Sequence, residues 1–226
     1  MRSWLGRRWY DLAKTALFYT FSSAFSLRST GGQYVPATGP LLLLSNHQSF
    51  MDPLLLGVAL PRYVTYLTRE TLHKNQILSR MMSSLGSIPI DHRGFSREGL
   101  QQTLDALNNG ACVGVFPEGE RTHDGTLEPF KPGISLLIKR TSALIVPAGI
   151  AGAYAAWSRH RKFPRLAPLF RPPTDATIAI SIGRPIDPAK YEKVSREEML
   201  DDLRRAVQVE MGNAEHIRRK PRNERD

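Results

Sequence analysis

The stretch LLLLSNHQSFMDP, Leu41 to Pro53, decides the fold. Leu41 to Ser45 is an apolar run with no polar alternation and too short for a helix, the pattern of a strand buried on both faces. A polar cluster, Asn46-His47-Gln48, follows at once. Asp52-Pro53 then reads as an N-cap followed by proline at the first helical position, opening a short helix through Leu60. Strand, polar loop and helix in that order form the repeating unit of a layered α/β domain.

The same alternation continues along the chain. Tyr63 to Thr68 is a second strand, Thr71 to Leu85 a helix stopped by Gly86, and Ser87 to Asp91 a third strand. Ser96 opens a helix carrying Leu100, Leu104 and Leu107, which ends at Asn109-Gly110. Ala111 to Phe116 is the fourth strand, Pro132 to Thr141 is helical, and Leu144 to Pro147 and Thr177 to Ile182 are further strands. Ser195 and Glu198 have the spacing of a capping box ahead of a helix bearing Met199, Leu203 and Val207. The expected fold is α/β, a mixed and largely parallel central sheet flanked by helices, with an N-terminal amphipathic helical appendage. Residues 1–30 are expected to form that appendage, 31–212 the main domain and 213–226 a basic tail.

Composition narrows the partners. The 226 residues carry 31 Lys and Arg against 21 Asp and Glu, a net charge of +10, so a polyanion is expected at the surface. The excess gathers at the N-terminus, at Arg159 to Arg171 and in the tail. Within the second segment, Arg161, Lys162 and Arg165 alternate with Phe163, Leu166, Leu169 and Phe170 and meet no acid, which suits a bilayer surface better than a DNA groove. Trp9, Leu12, Ala13, Ala16, Leu17, Thr20, Phe21 and Ala24 recur at helical spacing, so the first helix is expected to be amphipathic and either to lie in a membrane interface or to pack on the domain. No run approaches the roughly 20 apolar residues of a spanning helix. Cys112 is the single cysteine, which excludes a disulfide framework and a cysteine-built zinc site.

Polar clusters stand where the expected strands end, the usual place for ligands in α/β sheets. In the first, His47 and Asp52 are five residues apart, about 140° apart on a continuous helix. A loop running into a helix N-terminus instead lets Asp52 fold back, accept a hydrogen bond from one ring nitrogen and leave the other as a general base. In the second, FPEGER from Phe116 to Arg121, Gly119 admits close backbone approach, Glu118 offers an acceptor to a substrate hydroxyl, and Arg121 can hold phosphate oxygens. Arg93, after the third strand, is a further phosphate candidate.

In order and spacing these clusters resemble the glycerophospholipid acyltransferase family, the group of lysophosphatidic acid acyltransferases, over about residues 40–150. Its first block is matched by His47 and Asp52, its third by Phe116 to Arg121, and its fourth by the Val146-Pro147 strand. Phe130-Lys131-Pro132-Gly133 matches the F-K-x-G that follows the third block. Two positions depart: His92 stands between Asp91 and Arg93 where the second block usually reads Asp-Arg, and Glu120 stands where threonine is common.

The resemblance implies acyl transfer from a thioester, either acyl-coenzyme A or acylated carrier protein, to a hydroxyl of lysophosphatidic acid, giving phosphatidic acid. His47 and Asp52 are then catalytic, and Glu118, Gly119, Arg121 and Arg93 bind substrate. No metal or cofactor is expected, and no nucleic acid. The protein is expected on an anionic bilayer, peripheral or monotopic, at the cytoplasmic face. Other lysolipid acceptors, including lyso-aminolipids, remain open, as does a non-enzymatic basic protein that binds membranes or nucleic acid. A serine or cysteine hydrolase is excluded, because the chain has no G-x-S-x-G elbow and its one thiol lies in an apolar strand.

Overall fold

The computed structural model describes residues 4–69, 87–90 and 97–220. Among the described residues seven strands form one sheet: β1 (Arg28–Thr30), β2 (Leu41–Ser45), β3 (Val64–Arg69), β4 (Ile88–Ile90), β5 (Cys112–Val115), β6 (Leu144–Ala151) and β7 (Ala179–Ile182), in the spatial order β1-β7-β6-β2-β5-β3-β4. β6 and β7 pair antiparallel; every other neighbouring pair is parallel. β2 lies at the centre, its Leu44 level with Val115 of β5 and Pro147 of β6.

Burial on both faces explains the run that marks β2. Leu41 and Leu43 face one apolar layer and Leu42 and Leu44 the other, all at 0% exposure. The first layer is completed by α1 (Trp4–Phe25), α2 (Asp52–Ala59) and α5 (Ala153–Trp157), through Phe21, Phe25, Leu55, Leu56, Ala153 and Ala156. The second is completed by α3 (Arg97–Asn108), α4 (Gly133–Ile138) and α6 (Arg196–Arg219), through Leu104, Leu107, Leu137, Met199 and Leu203. Parallel strands covered on both sides have no solvated face to alternate toward.

α6 begins as its capping box implies, with Ser195 Oγ accepting from the Glu198 amide at 3.2 Å. It runs past residue 212 without a break, and Ala214 and Arg218 are buried. The basic tail expected from residue 213 is therefore, through Arg219, the last turns of a core helix. The appendage expected through residue 30 is corrected too, because Arg28–Thr30 pairs with β7 in the main sheet. Arg28 Nη1 also caps α6, donating to the carbonyls of Ile217 and Lys220 at 2.8 and 2.5 Å.

α1 divides the apolar face expected for it. Tyr10, Phe21 and Phe25 are buried against the domain, while Trp9, Leu12, Phe18 and Tyr19 are exposed. Tyr63 Oη donates to Asp11 at 2.9 Å, and Lys14 Nζ donates to the Leu60 carbonyl, fixing α1 over α2. Among the described residues no helix is long and apolar enough to cross a membrane. The helix expected over 71–85 lies outside the described residues.

Candidate active site

β2 ends at Ser45, and the chain must turn through Asn46 to Met51 before α2 begins. Asn46, 1% exposed, fixes the start of that loop to β6: its Nδ2 donates to the Ile150 carbonyl at 2.9 Å and its Oδ1 accepts from the Ile150 amide at 2.8 Å. Asp52 lies in the first turn of α2, one residue further into the helix than an N-cap, and Met51 takes the cap position without a side-chain bond. The carboxylate of Asp52 folds back over the loop. Its Oδ2 accepts from His47 Nδ1 at 2.8 Å and from the amides of Gln48 and Ser49 at 2.5 and 2.7 Å. Asp52 is fully buried and sits at the positive end of the α2 dipole. With Nδ1–H directed at Asp52, Nε2 of His47 is the nitrogen able to take a proton.

The second cluster grips the first by its backbone. Glu118 Oε1 accepts from the His47 amide at 2.6 Å, and the Thr122 amide donates to the His47 carbonyl at 2.8 Å. Glu118 Oε2 accepts from the Glu128 amide at 2.9 Å, so one carboxylate ties His47 to the far side of the FPEGER loop. Glu118 is 1% exposed. The substrate-facing acceptor expected of it is, in the structure, a brace whose two oxygens meet backbone amides. Burial pushes its carboxyl from the ordinary 4.5 up to about 7, the two amides acting against that rise and the charge of Asp52 adding to it.

Phe116 packs on the dyad, a contact with little sign in the sequence. Its ring stacks on the His47 imidazole with centroids 4.1 Å apart and planes 17° from parallel, and Tyr66 stacks behind it at 6.3 Å. The row closes because Gly114 carries no side chain: a Cβ there would lie 2.5 Å from the Tyr66 ring. An aromatic one residue beyond a strand and two before a buried acid was the only sign available in the sequence.

Arg121 comes to the same place from the other side. Its guanidinium carbon lies 3.3 Å from the centroid of Phe50, a half-exposed ring within the His47–Asp52 loop. That stacking sets a planar cation on the loop that joins His47 to Asp52. Gly119 takes a left-handed φ of 80°, and a Cβ there would come within 3.2 Å of the Lys131 side chain. Ser49 Oγ donates to the Trp157 carbonyl at 2.7 Å, and Gln48 joins Gly125 to Tyr154, so the loop after β2 is also fastened to α5. His47, Asp52, Glu118, Gly119 and Arg121 thus belong to two interlocked loops at the carboxyl ends of β2 and β5, and Arg93 lies outside the described residues. A base steered by a buried carboxylate, next to a cation suited to phosphate, can deprotonate a hydroxyl on an anionic substrate.

The chain is similar to known proteins to different extents. The chain is 22% identical to the 1-acyl-sn-glycerol-3-phosphate acyltransferase of Bacillus subtilis over 199 residues, which cover 88% of this chain and 92% of that protein. It is 30% identical to a chloroplastic 1-acyl-sn-glycerol-3-phosphate acyltransferase of Arabidopsis thaliana over 57% of this chain, and spans 36% of that longer protein. The crystal structure of the acyltransferase PlsC from Thermotoga maritima has the same fold, with a TM-score of 0.74 at 22% identity over 98% of this chain and 85% of that one. Residues 26–151, from the approach to β1 to the end of β6, match the Acyltransferase family and enclose both interlocked loops. The chain belongs to that family.

Proposed function

We propose that the enzyme moves a fatty acyl group from a thioester donor to the free hydroxyl of lysophosphatidic acid, forming phosphatidic acid at a bilayer surface. The observation that carries this reading is the 2.8 Å bond from His47 Nδ1 to a fully buried Asp52, with Arg121 stacked on the loop between them. Asp52 holds the imidazole in one tautomer, and Nε2 takes the hydroxyl proton as that oxygen attacks the thioester carbonyl. The tetrahedral intermediate expels the thiolate, which regains a proton from His47. A thioester is activated enough that no covalent enzyme intermediate is needed, and Cys112 is poorly suited to form one: burial in β5 pushes its thiol up to about 12.

Arg121, with Arg93 as a second ligand, is assigned to the acceptor's phosphate. The names of the Bacillus subtilis and Arabidopsis thaliana relatives support that acceptor. The donor is acyl-coenzyme A or acylated carrier protein, both acidic and both suited to the positive surface. Exposed apolar groups on α1 and on the loop after α5, set among Arg161, Lys162 and Arg165, would seat the enzyme on the anionic cytoplasmic leaflet. The test is to incubate purified enzyme with lysophosphatidic acid and, in separate reactions, long-chain acyl-coenzyme A and acylated carrier protein, with mass spectrometry of the lipid. Phosphatidic acid from at least one donor is expected. Its absence with both, alongside acylation of another lysolipid, would replace the acceptor.

A further inference from the structure

The reaction as described leaves Glu120 and Arg159 without a part. Glu120 directly precedes Arg121, so its carboxylate adds a negative charge beside the cation assigned to the substrate phosphate. Arg159, two residues past α5, reaches across to that position. Its Nη1 lies 3.5 Å from Glu120 Oε2, donates to the backbone carbonyl of Arg121 at 3.2 Å, and faces His123 Nε2 at 3.0 Å. One nitrogen therefore touches three of the four residues from Glu120 to His123. In that contact the guanidinium can only donate. Asp124, three residues past Arg121, hydrogen-bonds to Thr122 and Thr126, neutral groups that hold its carboxylate away from Arg159 without cancelling its charge.

The side chains of Arg159 and Glu120 are 30% and 49% exposed. Ion pairs so open to solvent contribute little to folding, but they set the local potential that a charged ligand meets. Arg121 and Glu120 alone sum to zero charge; adding Arg159 makes these three side chains positive by one.

We infer that Arg159 is a specificity-determining residue. By neutralising Glu120 next to Arg121, it makes the phosphate-binding side of the site favour acceptors with a phosphate monoester over acceptors whose phosphate is esterified to an ammonium-bearing group. This rests on Arg121 as the phosphate ligand. Without Arg159, the bare carboxylate of Glu120 repels a dianionic phosphate and attracts an ammonium group.

The experiment compares wild type, Arg159→Gln, Arg159→Lys, Glu120→Gln and the Glu120→Gln/Arg159→Gln double variant. Each is assayed with one acyl-coenzyme A against lysophosphatidic acid and against lysophosphatidylethanolamine, the quantity read being the ratio of the two kcat/KM values. Arg159→Gln should lower that ratio about fivefold, through KM for lysophosphatidic acid, as expected for a half-solvated unit charge. Arg159→Lys should keep it within about twofold, because the charge is retained. The double variant should return it toward wild type, since the unpaired carboxylate is gone. A ratio unmoved by Arg159→Gln overturns the inference. So does a double variant as impaired as Arg159→Gln, which would mean that Arg159 acts through the Arg121 carbonyl instead of through charge. Should Arg159→Gln not fold, Glu120→Gln reads the same term alone, and a ratio that fails to rise counts against the inference. Wild type that prefers lysophosphatidylethanolamine would defeat the acceptor assignment, while the shift of the ratio among variants would still report on the pair.

Discussion

The two loops around the dyad and the loop after α5 are both irregular chain at one end of the sheet, yet they are built in opposite ways. In the first pair, Asn46, Ser49, Asp52 and Glu118 are each at most 1% exposed, and each makes hydrogen bonds to backbone groups. The second, residues 158–171, shows Phe163, Leu166 and Phe170 to solvent at 73, 56 and 95%. Its main attachment is backbone: Ala167 and Leu169 donate to carbonyls of α1, and Arg165 donates to Ala156. Polar groups hidden and tied to the backbone hold a fixed geometry, which acid–base chemistry requires. Apolar groups left bare and ringed by arginines are suited to a partner that is itself apolar beneath an anionic surface.

Breaking the buried side should have the largest effect. His47→Ala removes the proposed base and is expected to lower kcat about 10³-fold, while Asp52→Asn, which keeps shape but loses charge, should lower it about 10²-fold. Steady-state rates on lysophosphatidic acid check this, with melting temperatures to show that both variants fold. Rates equal to wild type in both would remove the dyad from the mechanism.

Glu118→Gln comes next. A glutamine presents one acceptor where the carboxylate presents two, so either the His47 or the Glu128 amide loses its partner, at a cost of about 2 kcal/mol. Displacement of His47 should lower kcat about tenfold. The pH dependence has a definite sign. The folded protein holds the Glu118 proton more tightly than the unfolded chain, with the carboxyl raised from 4.5 to about 7. This contribution to stability is present in full below pH 4.5 and is lost as pH rises through about 7. Activity runs the other way, because only the ionised carboxylate accepts from both amides. Urea unfolding across that window should fall more steeply for wild type than for Glu118→Gln; parallel slopes would show that the raised carboxyl belongs to another group.

The contrast between the two regions also governs what could be read in the sequence. The leucines of β2 were legible because burial on both faces leaves an unbroken apolar signature, and His47 with Asp52 because a short loop keeps base and carboxylate within one motif. The brace was not legible. A glutamate after a proline looks the same whether it meets a substrate hydroxyl or two amides 71 and 10 residues away. β1 escaped because Arg28–Thr30 has no apolar pattern and owes its place to pairing with β7. α5 escaped because it follows the long apolar β6 without any charged residue to mark the change. Arg159 was read as part of a basic run, and its contacts with the FPEGER loop depend on where α5 ends.

Phe116→Leu sharpens the boundary of the buried region. It keeps apolar volume but removes the stack on His47, worth about 1 kcal/mol, so kcat/KM should fall about fivefold with little change in melting temperature. An unchanged kcat/KM would mean that Asp52 and Glu118 orient the ring unaided.

The smallest expected effect tests the open side. Phe170 is 95% exposed, so Phe170→Ser should shift stability by less than about 0.5 kcal/mol. If the loop rests on a bilayer, losing one aromatic ring should weaken binding to vesicles containing anionic lipid about threefold. Turnover of a short-chain, monomeric lysophosphatidic acid should stay unchanged, because no bond in the buried loops passes through Phe170. Co-sedimentation with vesicles and a parallel assay on the monomeric acceptor read the two halves separately. Weaker vesicle binding with intact soluble turnover keeps the regions distinct. A loss of both would mean that the attachment of Ser49 to Trp157 carries loop position into the dyad, and the two sides of the comparison would then be one mechanical unit.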